Sequence, residues 1–75
     1  MMTKAQAQKL SDKIIADHDG SVKFTMAQGA ARTLLEVVEY AGTYMESVDD
    51  AALLEDAMNV LSANLGDAYI ADAIA

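Results

Sequence analysis

The run MAQGAARTLLEVVEYAGTYMES, residues 26–47, decides the fold. Ala27, Ala30, Leu34, Val37, Ala41, Tyr44 and, just beyond the run, Val48 recur at alternating steps of three and four. A second apolar stripe, Ala31, Leu35, Val38, Gly42 and Met45, lies beside the first. That period is helical; a strand would alternate every second residue. The polar remainder is mainly Gln28, Arg32, Glu36, Glu39, Thr43 and Glu46. A helix apolar over more than half its circumference packs on two sides, so it is the central helix or turns one side to a partner chain. Gly29 and Gly42 each cost about 1 kcal/mol relative to Ala in such a helix. Close approach of a neighbouring helix is the expected reason for both.

Outward from this run, caps and breaks mark the other elements. Thr25 with Gln28 fits a capping box and starts the long helix at Met26. Before it, Val22 and Phe24 alternate with polar residues, as in an extended loop from which Phe24 folds back on the core. Thr3 with Gln6 fits a second capping box, for a helix from Lys4 to about Asp17. Its stripe is Ala7, Leu10 and Ile14, with Ile15 beside it, and Gly20 is its expected stop. On the C-terminal side, Asp49 and Asp50 cap a helix from Ala51 to Leu65 with Leu54, Ala57, Met58, Leu61 and Leu65 inward, widened by Leu53 and Val60. Gly66 ends it, and Asp67 caps a last short helix bearing Tyr69, Ile70, Ala73 and Ile74.

Short connections make consecutive helices antiparallel neighbours. The expected fold is all-α: a small antiparallel three-helix bundle with a short C-terminal fourth helix, one domain over residues 1–75. Its core is Leu10, Ile14, Leu34, Val37, Val38, Ala41, Leu54, Met58, Leu61 and Leu65. A chain this short buries only about 60% of the surface it exposes when unfolded. It has no cysteine with which to supplement so small a core.

Charge narrows the function. The net charge is −7, and the five bases, Lys4, Lys9, Lys13, Lys23 and Arg32, all precede position 33. Beyond it lie nine acids and no base. Such a segment repels phosphate and attracts basic surfaces, which argues against direct nucleic-acid binding and against anionic membranes. The start of the chain is polar and no run approaches a spanning length, so a cytoplasmic location is expected.

One local motif bears on metal. Asp17-His18-Asp19-Gly20-Ser21 resembles the start of an EF-hand calcium loop, with Phe24 at the loop's apolar position. The resemblance implies a calcium-binding module. It departs at Val22, where the loop needs Gly, and at Gln28, where it needs a bidentate Glu. A capped polar loop, with His18 solvated, is the favoured reading, and no metal or cofactor is expected.

Catalysis has little to work with. There is no cysteine and no nucleophile turn, and the four glycines are too scattered to cradle phosphate. The acid pairs Asp49/Asp50 and Glu55/Asp56 point about 100° apart on a helix and do not converge. A non-enzymatic interaction module remains, with Glu36, Glu39, Tyr40, Glu46, Asp49, Asp50, Glu55 and Asp56 as its partner-binding residues. Aromatics ringed by acids suit an Arg-rich surface. In size and acidity the chain resembles small phage- and mobile-element-encoded inhibitors, anti-CRISPR proteins and DNA mimics among them. That resemblance implies inhibition of a nucleic-acid-binding partner by a polyanion. The alternative is a structural role as a helical homodimer or adaptor, using the three-four seam of the long helix.

Overall fold

The computed structural model describes the backbone of residues 2–44 and 48–75, and the side chains of 2–39 and 51–75. Four helices form among these residues: α1 (Lys4–Asp17), α2 (Val22–Tyr44), α3 (Val48–Leu65) and α4 (Asp67–Ile74). The architecture is an all-α bundle. α2 packs against both α1 and α3, as its double stripe requires, and α4 packs against α3 and α1. The four helices thus form a closed ring, and among the described residues α1 and α3 do not meet directly.

The first capping box forms as expected. The Thr3 hydroxyl accepts from the Gln6 N–H at 3.1 Å, and the Gln6 side chain accepts from the Thr3 N–H at 3.0 Å. The second does not form. α2 begins at Val22, so the stretch expected to be extended is its first turn, and Thr25 lies inside the helix. The start is set by Ser21, whose hydroxyl accepts from the Phe24 N–H at 3.5 Å while Asp19 Oδ1 accepts from the Ser21 N–H at 2.9 Å. Gly20, at φ 83°, serves this turn rather than the end of α1, which stops at Asp17. Phe24 is buried as expected, but from a helix.

Two further boundaries shift. α3 begins at Val48, which puts Asp49 and Asp50 in its first turn rather than before it. Gly66, at φ 85°, occupies the N-cap position of α4 without a side-chain bond, and Asp67 is the first helical residue. The Asp67 carboxylate instead accepts from the Ser62 hydroxyl at 2.7 Å, tying α4 to α3.

The core centres on Leu10, Ile14, Leu34 and Leu61, all fully buried. Val37 and Val38 are buried with them. Leu54, Met58 and Leu65 pack on the core half-buried, and Ala41 lies outside the described side chains. Ile15 and Leu53, expected beside the core, are exposed because each sits a helical step away from its stripe. The seam residues Ala27, Ala30, Leu34 and Val37 are buried within this single chain.

α4 closes the ring through a polar seam. Tyr69 Oη donates to Asp17 Oδ2 at 2.7 Å. Lys13 Nζ lies 3.7 Å from that carboxylate, 3.6 Å from Asp72 and 5.1 Å from the Tyr69 ring centroid. Lys9 Nζ donates to the Ala75 carbonyl at 3.5 Å. The order of these pairs runs α4 antiparallel to α1. Tyr69 also meets Phe24 edge-on, with centroids 6.3 Å apart.

Candidate functional site

Of the eight residues chosen from sequence, the structure describes the side chains of Glu36, Glu39, Glu55 and Asp56. Glu36 is exposed on α2, and Glu55 and Asp56 are exposed on α3. Glu39 is exposed but turned toward α1, where Lys4 Nζ lies 3.5 Å from its Oε1. Tyr40 lies in α2, and Asp49 and Asp50 in α3, with side chains outside the described set; Glu46 lies outside the described residues altogether. Adjacent positions on α3 send Glu55 and Asp56 to different sides.

Asp56 borders a groove that sequence reasoning missed. Between α2 and α3 an open cleft of about 320 Å³ runs over Gly29, floored by the buried Ala30 and Ala57 and edged by Met26, Thr33, Asp56 and Val60. Thr25 also lines it. Close helix approach does not explain Gly29: a Cβ placed there meets nothing within 4 Å. Val22, 75% exposed, and Met26, 50% exposed, stand one turn apart on the strip that continues through Gly29 and Thr33. The signal was present as the four-three-four spacing of these residues. Reading the stretch before Met26 as a loop hid it.

The groove's polarity is one-sided. The Thr25 hydroxyl donates to the Ser21 carbonyl at 2.9 Å, and the Thr33 hydroxyl donates to the Gly29 carbonyl at 3.2 Å. Both protons are therefore used within α2. Asp56 is the one charged residue among the described residues lining the groove.

A second hollow of about 440 Å³ lies inside the ring, lined by Met2, Gln6, Leu34, Leu54, Met58, Ile70 and Ile74. It exists because α1 and α3 stand apart and α4 is too short to fill the space between them. Among the described residues Gln6 is the one polar side chain of this lining.

The resemblance of Asp17–Ser21 to a calcium loop does not extend into the structure, because residues from Val22 onward are helical. Asp17 is engaged with Tyr69 and Lys13. His18 Nδ1 accepts from the Gly20 N–H at 2.9 Å, and the half-buried ring packs 5.9 Å from Phe24. Hydrogen bonds from the Ser21 side chain and backbone hold the Asp19 carboxyl below its ordinary range. Among the described residues no group of three or more His, Cys, Asp or Glu side chains could hold a metal ion. No helix of the described residues is long and apolar enough to cross a membrane.

No protein-family model matches the chain, and neither does any curated protein or solved structure.

Proposed function

We propose that the protein is a non-enzymatic interaction module that presents an acidic α2–α3 side to a basic surface of a partner protein. The observation that carries this reading is the run of nine acids without a base after position 32. The geometry supports it in one further respect. Lys4, Lys9 and Lys13 are engaged on the α1 side, with Glu39, the Ala75 carbonyl and the Asp17 and Asp72 carboxylates. Glu36, Glu55 and Asp56 stand exposed on the other two helices, with Lys23 and Arg32 as the two exposed bases of α2 and no base on α3. Where the partner's basic surface normally binds nucleic acid, occupation by this polyanion inhibits it.

The test is affinity capture from a lysate of the source cell, eluted with rising salt, using the wild type and a Glu36→Gln/Glu55→Gln/Asp56→Asn variant. The expected result is a basic protein retained by the wild type, released as salt shortens the screening length, and lost from the variant. An identical, salt-insensitive set of retained proteins in both would reject the reading.

A further inference from the structure

We propose that the α2–α3 groove docks a basic amphipathic helix of the partner, seated over Gly29 with a cation facing Asp56. This rests on the reading of the protein as an acidic interaction module and narrows it to one surface.

Three observations carry it. Gly29 sits in mid-helix, where Gly is unfavourable, yet nothing inside the molecule needs it. Its φ lies outside the left-handed region, and a Cβ there would meet open space. What its missing side chain preserves is the groove itself. The groove is lined by Met26, Ala30, Ala57 and Val60 beside its polar residues, and Val22, one turn before Met26 on the same strip of α2, adds an exposed apolar side chain outside it. An apolar helix face laid in a groove is anchored at such spacings. Finally, charge selects the occupant. The threonine hydroxyl protons are used internally and Asp56 is the one charge among the described lining residues, while Glu36, outside the lining, is exposed a turn beyond Thr33 on α2. A second copy of this chain, also at −7, would bring Asp56 and Glu36 against their own kind. A cationic helix is complementary to them.

The probe is a labelled synthetic helix of leucines on one face and lysines on the other, titrated with the full chain by fluorescence anisotropy. The same peptide with glutamates in place of lysines is the counterpart. Gly29→Leu fills the groove and Gly29→Ala begins to fill it. Both are expected to melt no lower than the wild type, because Ala and Leu are better helix formers. Gly29→Leu is expected to weaken binding of the lysine peptide by about tenfold or more, by steric exclusion. Asp56→Asn weakens it and flattens its salt dependence, while Asp12→Asn, an equal charge change on α1, leaves it intact. The glutamate peptide does not bind.

If Gly29→Leu binds like the wild type while Asp56→Asn and Glu36→Gln bind less, the groove is the wrong surface but the acidic module stands. If none of these variants differs and salt has no effect, both readings fall. A lower melting temperature in Gly29→Ala would return the glycine to internal packing and overturn the proposal. So would a wild-type dimer in sedimentation that Gly29→Leu abolishes.

Discussion

Two seams hold α1 and α3 in the ring, and they are built from opposite materials. α1 meets α4 through charge and hydrogen bonds, namely Tyr69 to Asp17, Lys13 to both Asp17 and Asp72, and Lys9 to the Ala75 carbonyl. α2 meets α3 through small apolar side chains such as Ala30 and Ala57, and no polar side-chain pair joins them among the described residues. The first seam consumes cations and the second consumes none. Of the other bases, Lys23 and Arg32 lie exposed on α2 and balance Glu36 and Glu39 there, so the surplus acid falls mainly on α3, which carries Asp49, Asp50, Glu55 and Asp56 and no base.

The strongest way to break this comparison is to empty the apolar seam. Leu34→Ala and Leu61→Ala each remove a fully buried side chain and should cost about 2–5 kcal/mol in urea denaturation, a large share of a small domain's stability. Unchanged midpoints in both variants would mean that α2 and α3 are not packed together as described.

The polar seam is tested by Tyr69→Phe, which keeps the edge contact with Phe24 and the ring beneath Lys13 but deletes the hydroxyl. The expected loss is about 1 kcal/mol. Burial, then the hydrogen bond donated to Asp17 and the negative charge of that carboxylate, push the Tyr69 phenol above its ordinary value of 10.0. Folding thus favours the protonated phenol. Its contribution is whole below pH 10.0 and fades as pH climbs from there toward the folded-state value. The wild type should lose stability on alkaline titration more steeply than Tyr69→Phe. Parallel curves would remove Tyr69 from the seam's energetics.

A gain is expected on the other side of the comparison. Gly29→Ala should stabilise the protein by up to about 1 kcal/mol, because the new methyl enters open space on a helix that disfavours glycine. Smallest of all is Lys4→Gln. Its pair with Glu39 is exposed at both ends, so thermal melting should shift by what about 0–1 kcal/mol produces. A large loss there would make charge as important between α1 and α2 as it is between α1 and α4.

The sequence yielded what is local and periodic. α1 was legible to the residue because Thr3 and Gln6 satisfy each other within one turn. The same pattern misled at Thr25 and Gln28, since a T-x-x-Q spacing is equally at home inside a helix. There the Thr25 hydroxyl turns back to Ser21, and the Asp19–Ser21 turn starts α2 earlier. The exposure of Glu36 and Asp56 could be read from helical period. The Lys4–Glu39 pair could not, because it depends on how α1 slides along α2, across 35 residues of sequence. The groove depends likewise on the spacing between two helices, which no single helix encodes.

The polar seam has a consequence for the order in which the molecule assembles. Its bonds join residues 52 and 66 positions apart, whereas α2 and α3 are successive helices joined by a short connection. Distant contacts must close long loops before they return any energy, so local pairs form first and such seams last. Docking of α4 on α1 is expected to follow the folding barrier. Tyr69→Phe should then speed unfolding and leave the refolding rate nearly unchanged, while Leu34→Ala slows refolding. The last helix acts as a latch on a structure already formed.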